Sequence, residues 1–251
     1  RRRAGAERRR HRPRLGADRS ESGPYLLLAF LTLALVLASS LSAQTPLTTA
    51  EGFAVPQPGK VFSFPRDHGS HPEFKLEWWY LTGNLKDEQG REYGMQWTLF
   101  RQGIEQQIKT DNPWLTPQLW LAQFAITDLG RGTHHQDERT SRQGPGLAGA
   151  SGGEYWLREW GLTSQGKALF PATLKVQSKA GDLDLKVSAA KPVVLQGKAG
   201  YSEKSPGNAS FYYSYPRLTL TGTLLLALPH LVPIVFGNDF LLSCVDANCS
   251  R

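Results

Sequence analysis

His68-Gly69-Ser70-His71-Pro72-Glu73-Phe74-Lys75-Leu76-Glu77-Trp78-Trp79-Tyr80-Leu81-Thr82-Gly83-Asn84-Leu85 decides how the chain is read. Two histidines, two glutamates, two adjacent tryptophans and a tyrosine fall within it. The stretch from Glu77 is read as a strand, whose side chains point alternately to two faces. On such a strand Glu77 and Trp79 share one face and Trp78 takes the other. A carboxyl group beside aromatic rings and imidazoles is the raw material of an apolar pocket with a few polar groups.

The same period of two recurs downstream. Tyr93, Met95, Trp97 and Leu99 alternate with polar or small residues, as do Trp120, Ala122, Phe124 and Ile126. Leu183, Leu185 and Val187 repeat the pattern, then Leu218 and Leu220. Turn-forming clusters separate the runs at Asp87–Gly90, Asp128–Gly132, Ser164–Gly166, Ala180–Asp182 and Ser205–Asn208. Strands punctuated in this way predict an all-β fold, an antiparallel barrel or sandwich. A short helix is expected over Pro113–Leu119. Residues 130–153, rich in Gly, Arg and His, are expected as a mobile loop, with His134 and His135 solvated in it.

The chain has 29 basic and 22 acidic residues. Nine arginines and only three acidic groups fall in residues 1–22, so the body is nearly neutral. The high charge therefore belongs to a basic tail, and no nucleic-acid partner is expected. The uncharged run Tyr25–Ala38 follows it. That run is shorter than the roughly 20 residues a spanning helix needs, and matches a signal-peptide core. Residues 23–43 read as a signal peptide cleaved near Ala43. The body is expected to be exported, periplasmic or secreted, with membrane association if the segment stays uncleaved. The chain does not open on Met, and the Arg-rich stretch reads as non-native.

The alternation ends at Thr223. Residues 224–251 hold both cysteines, Cys244 and Cys249, and two prolines inside an apolar run. A frameshift or truncation near Thr223 is expected. The alternative is a C-terminal strand pair closed by a disulfide, open to an exported protein.

Several segments resemble the carotenoid 1,2-hydratase-like (AttH-type) family, whose bacterial members are often described as secreted hydrolases. They are Phe64–Phe74, the Glu77-Trp78-Trp79-Tyr80 block, Trp97–Arg101, Ala122–Asp128, Gln143–Gly149, Leu195–Lys204 and Ala209–Leu218. The resemblance runs from Phe53 to Thr223. It implies a lipocalin-like (calycin-type) fold over residues 44–223, the first of two such domains, in exported or membrane-associated proteins. It also implies a small hydrophobic ligand, a polyene, terpenoid or lipid-like molecule, and water addition to a double bond in some members. A Trp-x-Asp-x-Glu-Trp-like motif expected in the second domain is absent from this sequence.

Hydrating an alkene requires an acid to protonate carbon and a stabilised cation until water attacks. Aromatic faces stabilise cations by about 0.5–2 kcal/mol each, and a carboxylic acid kept neutral by burial can supply the proton. Glu77 is the candidate acid, with His71 and Asp67 beside it. Trp78, Trp79, Tyr80, Trp97, Tyr212 and Tyr213 are the candidate ligand-binding residues, and the Tyr215 hydroxyl is also within reach. The alternative has Glu77 paired with an arginine such as Arg101 and both tryptophans in the core. His68, His71 and Asp67 match no zinc spacing, and no metal or cofactor is expected. No Ser–His–Asp elbow, phosphate loop or dinucleotide fingerprint occurs. Two functions stand: a hydratase-like enzyme acting on an apolar substrate, or a non-catalytic periplasmic carrier of a hydrophobic ligand, an inactive fragment included.

Overall fold

The computed structural model describes residues 48–106, 111–205, 208–226 and 230–246, the last of these as backbone only. The expected signal segment and basic tail lie outside the described residues, as does Cys249. All of the described residues belong to the compact unit of residues 46–251. Among the described residues no helix is long and apolar enough to cross a membrane.

Almost all regular structure is antiparallel β. The strands are β1 (Leu76–Asp87), β2 (Glu92–Gly103), β3 (Gln118–Asp128), β4 (Thr133–Arg142), β5 (Ala148–Ser151), β6 (Glu154–Leu157) and β7 (Trp160–Ser164). They continue with β8 (Ala172–Ser178), β9 (Gly181–Ala189), β10 (Val194–Leu195), β11 (Tyr201–Ser205), β12 (Asn208–Leu226) and β13 (His230–Asp246). One curled sheet has the order β4-β3-β2-β1-β13-β12-β9-β8-β7-β6-β5, with β10 and β11 hung on β12. The sheet forms a half-barrel of the lipocalin-like kind.

The two-residue period becomes a core because every second side chain on β1, β2, β3, β8 and β9 turns to the concave side. Trp79, Trp97, Trp120 and Trp160 are wholly buried there among Leu81, Leu99, Phe124, Leu174 and Leu185. Trp79 stacks on Trp120 at 5.9 Å, and Phe124 meets Trp160 edge-on across the barrel. Each such side chain is worth roughly 2–3 kcal/mol relative to exposure. The interior is therefore filled with side chains.

Two expectations are corrected. Residues 130–153 hold β4, a turn at Gly144–Leu147, and β5. Thr133–Arg142 showed no apolar alternation because β4 is an edge strand, exposed or half-exposed along its whole length. His134 and His135 are exposed on that strand, the former bonded to the Thr127 hydroxyl at 2.8 Å. No helix forms at Pro113–Leu119. Asn112 instead closes a side-chain turn on the Trp114 amide at 3.0 Å, and β3 begins at Gln118. Asn before Pro favours such a turn.

β12 continues past Thr223 to Leu226 in register with β9, and β13 runs between β12 and β1. At the β12–β9 pairing, a Cβ on Gly222 would lie 2.0 Å from the Asp184 carbonyl oxygen, and its φ is +153°. Gly222→Ala should destabilise the fold by about 1–3 kcal/mol. Gly166→Ala, whose Cβ meets nothing within 4 Å, should change stability by less than about 0.5 kcal/mol. Urea midpoints read by tryptophan fluorescence test both, and equal midpoints would refute the account of Gly222.

Candidate functional site

Register puts Glu77 of β1 directly opposite Arg101 of β2. Both are buried, at 0% and 1% exposure. Arg101 Nε donates to Glu77 Oε2 at 2.6 Å. The rest of the guanidinium is consumed by Gln118 Oε1 at 2.6 Å and by the carbonyls of His71 and Phe74 at 2.9 and 2.7 Å. Glu77 in turn accepts from the His71 amide at Oε2 and from His71 Nδ1 at Oε1, both at 2.7 Å. His71 Nε2 reaches Asp67 Oδ1 at 3.2 Å. The result is a continuous chain, Asp67–His71–Glu77–Arg101–Gln118, that ties the segment before β1 onto the sheet. It is the ion pair left open as the alternative to an acid role for Glu77.

Asp67 sits in the single helical turn Arg66–His68. Its Oδ2 accepts the Ser63 amide at 2.6 Å, and Lys60 and Arg66 stand at 3.4 Å. Burial disfavours its charge, but the Ser63 amide, His71 and the two cations prevail and hold the carboxyl below its ordinary value. His71 is likewise opposed by burial, yet its bonds to Glu77 and Asp67 raise it above an ordinary imidazole. His71 is thus stabilised as an imidazolium between two carboxylates.

His68, three residues earlier, has the opposite fate. Burial lowers its pKa to about 4, and the charge of Asp67 offsets only part of this. Its ring stacks on Phe64 at 4.4 Å. Nδ1 lies 2.8 Å from the Tyr213 hydroxyl, which also reaches the Asp67 carbonyl at 3.2 Å. A carbonyl can only accept, so this network assigns the Tyr213 proton to Asp67 O and the imidazole proton to Nδ1. Nε2 then carries the lone pair, 3.3 Å from the Tyr215 hydroxyl. Trp79 Nε1 and the Tyr155 hydroxyl both donate to the His68 carbonyl, at 3.2 and 3.0 Å. Burial pushes the Tyr155 and Tyr215 phenols above their ordinary value.

His68 lines a cavity of about 610 Å³ with Pro65, Ser70, Ala150, Gly153 and Leu169. The Ser70 amide donates to the Ala150 carbonyl at 3.0 Å and fixes this wall to β5. Among the described residues, no group of three or more histidine, cysteine and carboxylate side chains is placed to hold a metal ion.

The structure thus brings together Asp67, His71, Glu77, Trp79 and Tyr213. It sets Trp78, Tyr80 and Tyr212 apart on the opposite face of the sheet, where they are half-buried and Lys204 stands 5.5 Å over the Trp78 ring. Trp97 is core, remote from His68. Lys60, Ser63, Gln118 and Tyr155 were not anticipated. Gln118 and Tyr155 enter only through strand register, which a single sequence does not print.

The sequence profile of AttH-like proteins matches residues 55–231, and the chain belongs to that family. A crystal structure of an AttH protein from Nitrosomonas europaea superposes with a TM-score of 0.68 at 28% identity, covering 79% of this chain and 60% of that one. Kievitone hydratase from Nectria haematococca shares the fold, with a TM-score of 0.53 at 13% identity over 79% of this chain and 58% of its own. The chain thus spans about 60% of the length of these proteins. No curated protein matches the sequence.

Removing one member of a buried pair leaves a charge uncompensated, so Arg101→Met should cost about 3–5 kcal/mol. Replacing Glu77 and Arg101 together by apolar residues should recover part of that loss in urea titrations.

The histidines predict opposed pH limbs. The unfolded chain binds a proton at His68 below about 6.5 that the fold refuses until about 4, so stability falls over that interval, by about 3 kcal/mol. The stability due to His71 is fully present below about 6.5 and is lost as pH rises through its raised folded value. His68→Asn should flatten the acid limb and His71→Gln the alkaline limb of unfolding free energy against pH.

Proposed function

We propose that this chain is a hydratase-like domain, exported from the cytoplasm, that takes an apolar polyene, terpenoid or lipid-like ligand into the cavity beside His68. There it would add water across a carbon–carbon double bond. The observation that carries this reading is the divergence of two histidines three residues apart: carboxylate neighbours favour the protonated form of His71, and burial favours the neutral form of His68 beside a cavity. Environments that drive like groups to opposite protonation states mark acid–base sites.

In this reading His68 serves both halves of the reaction. Its imidazolium, formed at low occupancy, is a strong acid because burial disfavours it. It passes the proton to one alkene carbon and leaves a cation on the other. Water attacks that carbon, and neutral His68 takes the proton from the attacking water. The net change is H to one carbon and OH to the other, with the residue restored. Tyr215 lies beside Nε2, and the ring of Phe64 stacks on the imidazole and holds its orientation. Asp67, His71, Glu77 and Arg101 act as positioning residues that hold the turn.

The second reading, a non-catalytic carrier, is favoured by the donors that occupy both Glu77 oxygens. It needs only the cavity. Support for the family-level assignment comes from the AttH match and from the fold shared with a hydratase.

Kievitone and an acyclic carotenoid in detergent are the probes, with mass spectrometry reading the gain of one water. Turnover should fall by about a hundredfold or more in His68→Phe. It should persist in Glu77→Gln at a rate set by the remaining fold. kcat/KM should rise as pH falls toward about 4, the His68 value. Saturable binding without product would establish the carrier, and neither binding nor product would sink both readings.

A further inference from the structure

A second groove lies on the convex face, away from His68 and independent of the reading above. Residues of β6 to β9, mostly ones that do not enter the core, form a trough of about 570 Å³ with Trp160. Register lines up Trp156, Gly161, Lys175 and Asp184 in one row and Thr163, Thr173 and Lys186 in the next. The first row is tightly packed at its glycines. A Cβ on Gly149 would meet the Trp156 ring at 2.6 Å, so the indole lies against a bare backbone. Its Nε1 donates to the Gly146 carbonyl at 3.2 Å, which fixes the ring's orientation. A Cβ on Gly161 would come within 2.5 Å of the Tyr155 carbonyl, so the strip beside the indole stays clear of side chains.

The rim carries a backbone outlier. Arg158 is the first residue of the two-residue turn joining β6 to β7, at φ +56°. Asn, Asp or Gly normally takes such a position, because other side chains are strained there. The strain is held by the Arg158 amide, which donates to the Leu147 carbonyl at 2.7 Å. Strained residues of this kind gather at ligand-binding features. Arg158 and Lys186 line the groove without an ion-pair partner among the described residues, whereas Lys175 pairs with Asp184 at 3.1 Å and Glu159 pairs with Arg139.

We propose that this groove binds an acidic carbohydrate. The pinned indole offers a flat apolar surface to a sugar ring. Gln165 Nε2 donates to Thr173 Oγ1 at 2.8 Å, so the Thr163 and Thr173 hydroxyl protons and the Gln165 amide oxygen are the partners for its hydroxyl groups, and Arg158 and Lys186 receive its carboxylate. A purely apolar ligand would cover the Arg158 and Lys186 charges without giving them hydrogen bonds, at a cost. A nucleic acid would meet too few cations, since Glu159 and Asp184 already occupy two of those nearby.

The full chain is titrated with tetragalacturonate, an uncharged cello-oligosaccharide and a single-stranded oligonucleotide, by calorimetry. Saturable binding of tetragalacturonate is expected. It should weaken about tenfold in Trp156→Ala, be retained in Trp156→Tyr, and weaken in Lys186→Gln and at high salt. Lys186 is exposed on β9, so its replacement tests the site without loading the fold. No binding of tetragalacturonate, equal binding of the uncharged oligomer, tighter binding of the oligonucleotide, or indifference to both Trp156→Ala and Lys186→Gln would each overturn the proposal.

Discussion

The ion pair between Glu77 and Arg101 organises everything at the open end of this half-barrel. Two charges removed from water must be matched group by group, and here the matching recruits parts of the chain far apart in sequence. Arg101 reaches forward to Gln118 of β3 and back to two carbonyls in the segment before β1. Glu77 holds His71 by both its amide and its ring. The path of residues 66–75 over the end of the sheet is thereby set by charge and hydrogen bonding rather than by a repeating secondary structure. An apolar pair at those positions would fill the volume and leave the turn without an anchor.

That anchoring is what gives the two histidines different chemistry. His71 faces carboxylates on both ring nitrogens and keeps its proton. His68, three residues earlier, points between Phe64, Tyr213 and Tyr215, where burial disfavours the charged ring. A shift of either ring by a few ångströms would erase the distinction. The site is thus a property of the turn's placement, and the placement is a property of the buried pair.

Much of the fold was legible because burial alternates so regularly. Trp97, Phe124, Leu185 and Leu220 occupy the interior positions that their spacing assigns. What was hidden is what alternation does not encode. β4 carries no apolar stripe because, as an edge strand, it contributes little to the core, so its residues read as loop. Glu77 and Trp79 share a face as expected, yet which cation would meet Glu77 depends on the β1–β2 register, and Arg101 was one of two open readings. Tyr213 and Tyr215 were visible as strand aromatics, but their association with His68 requires β12 to cross the sheet to the segment before β1. Tyr155 and Gln118 gave no signal, since their partners are a carbonyl of the turn before β1 and a guanidinium of β2, which only the folded register brings to them.

Among the described residues the curled sheet ends at β4 on one side and at β5 on the other. An open margin of backbone donors and acceptors is a template on which another chain can add a strand, and the long β4 is the larger of the two. Its Asp137, Glu138, Arg139 and Arg142 put charge along that border, and Arg139 folds inward over Trp160 and onto the Gln177 carbonyl. The opposite margin, β5, is only four residues long. Charge on one border and brevity on the other are devices that oppose edge-to-edge stacking into fibrils.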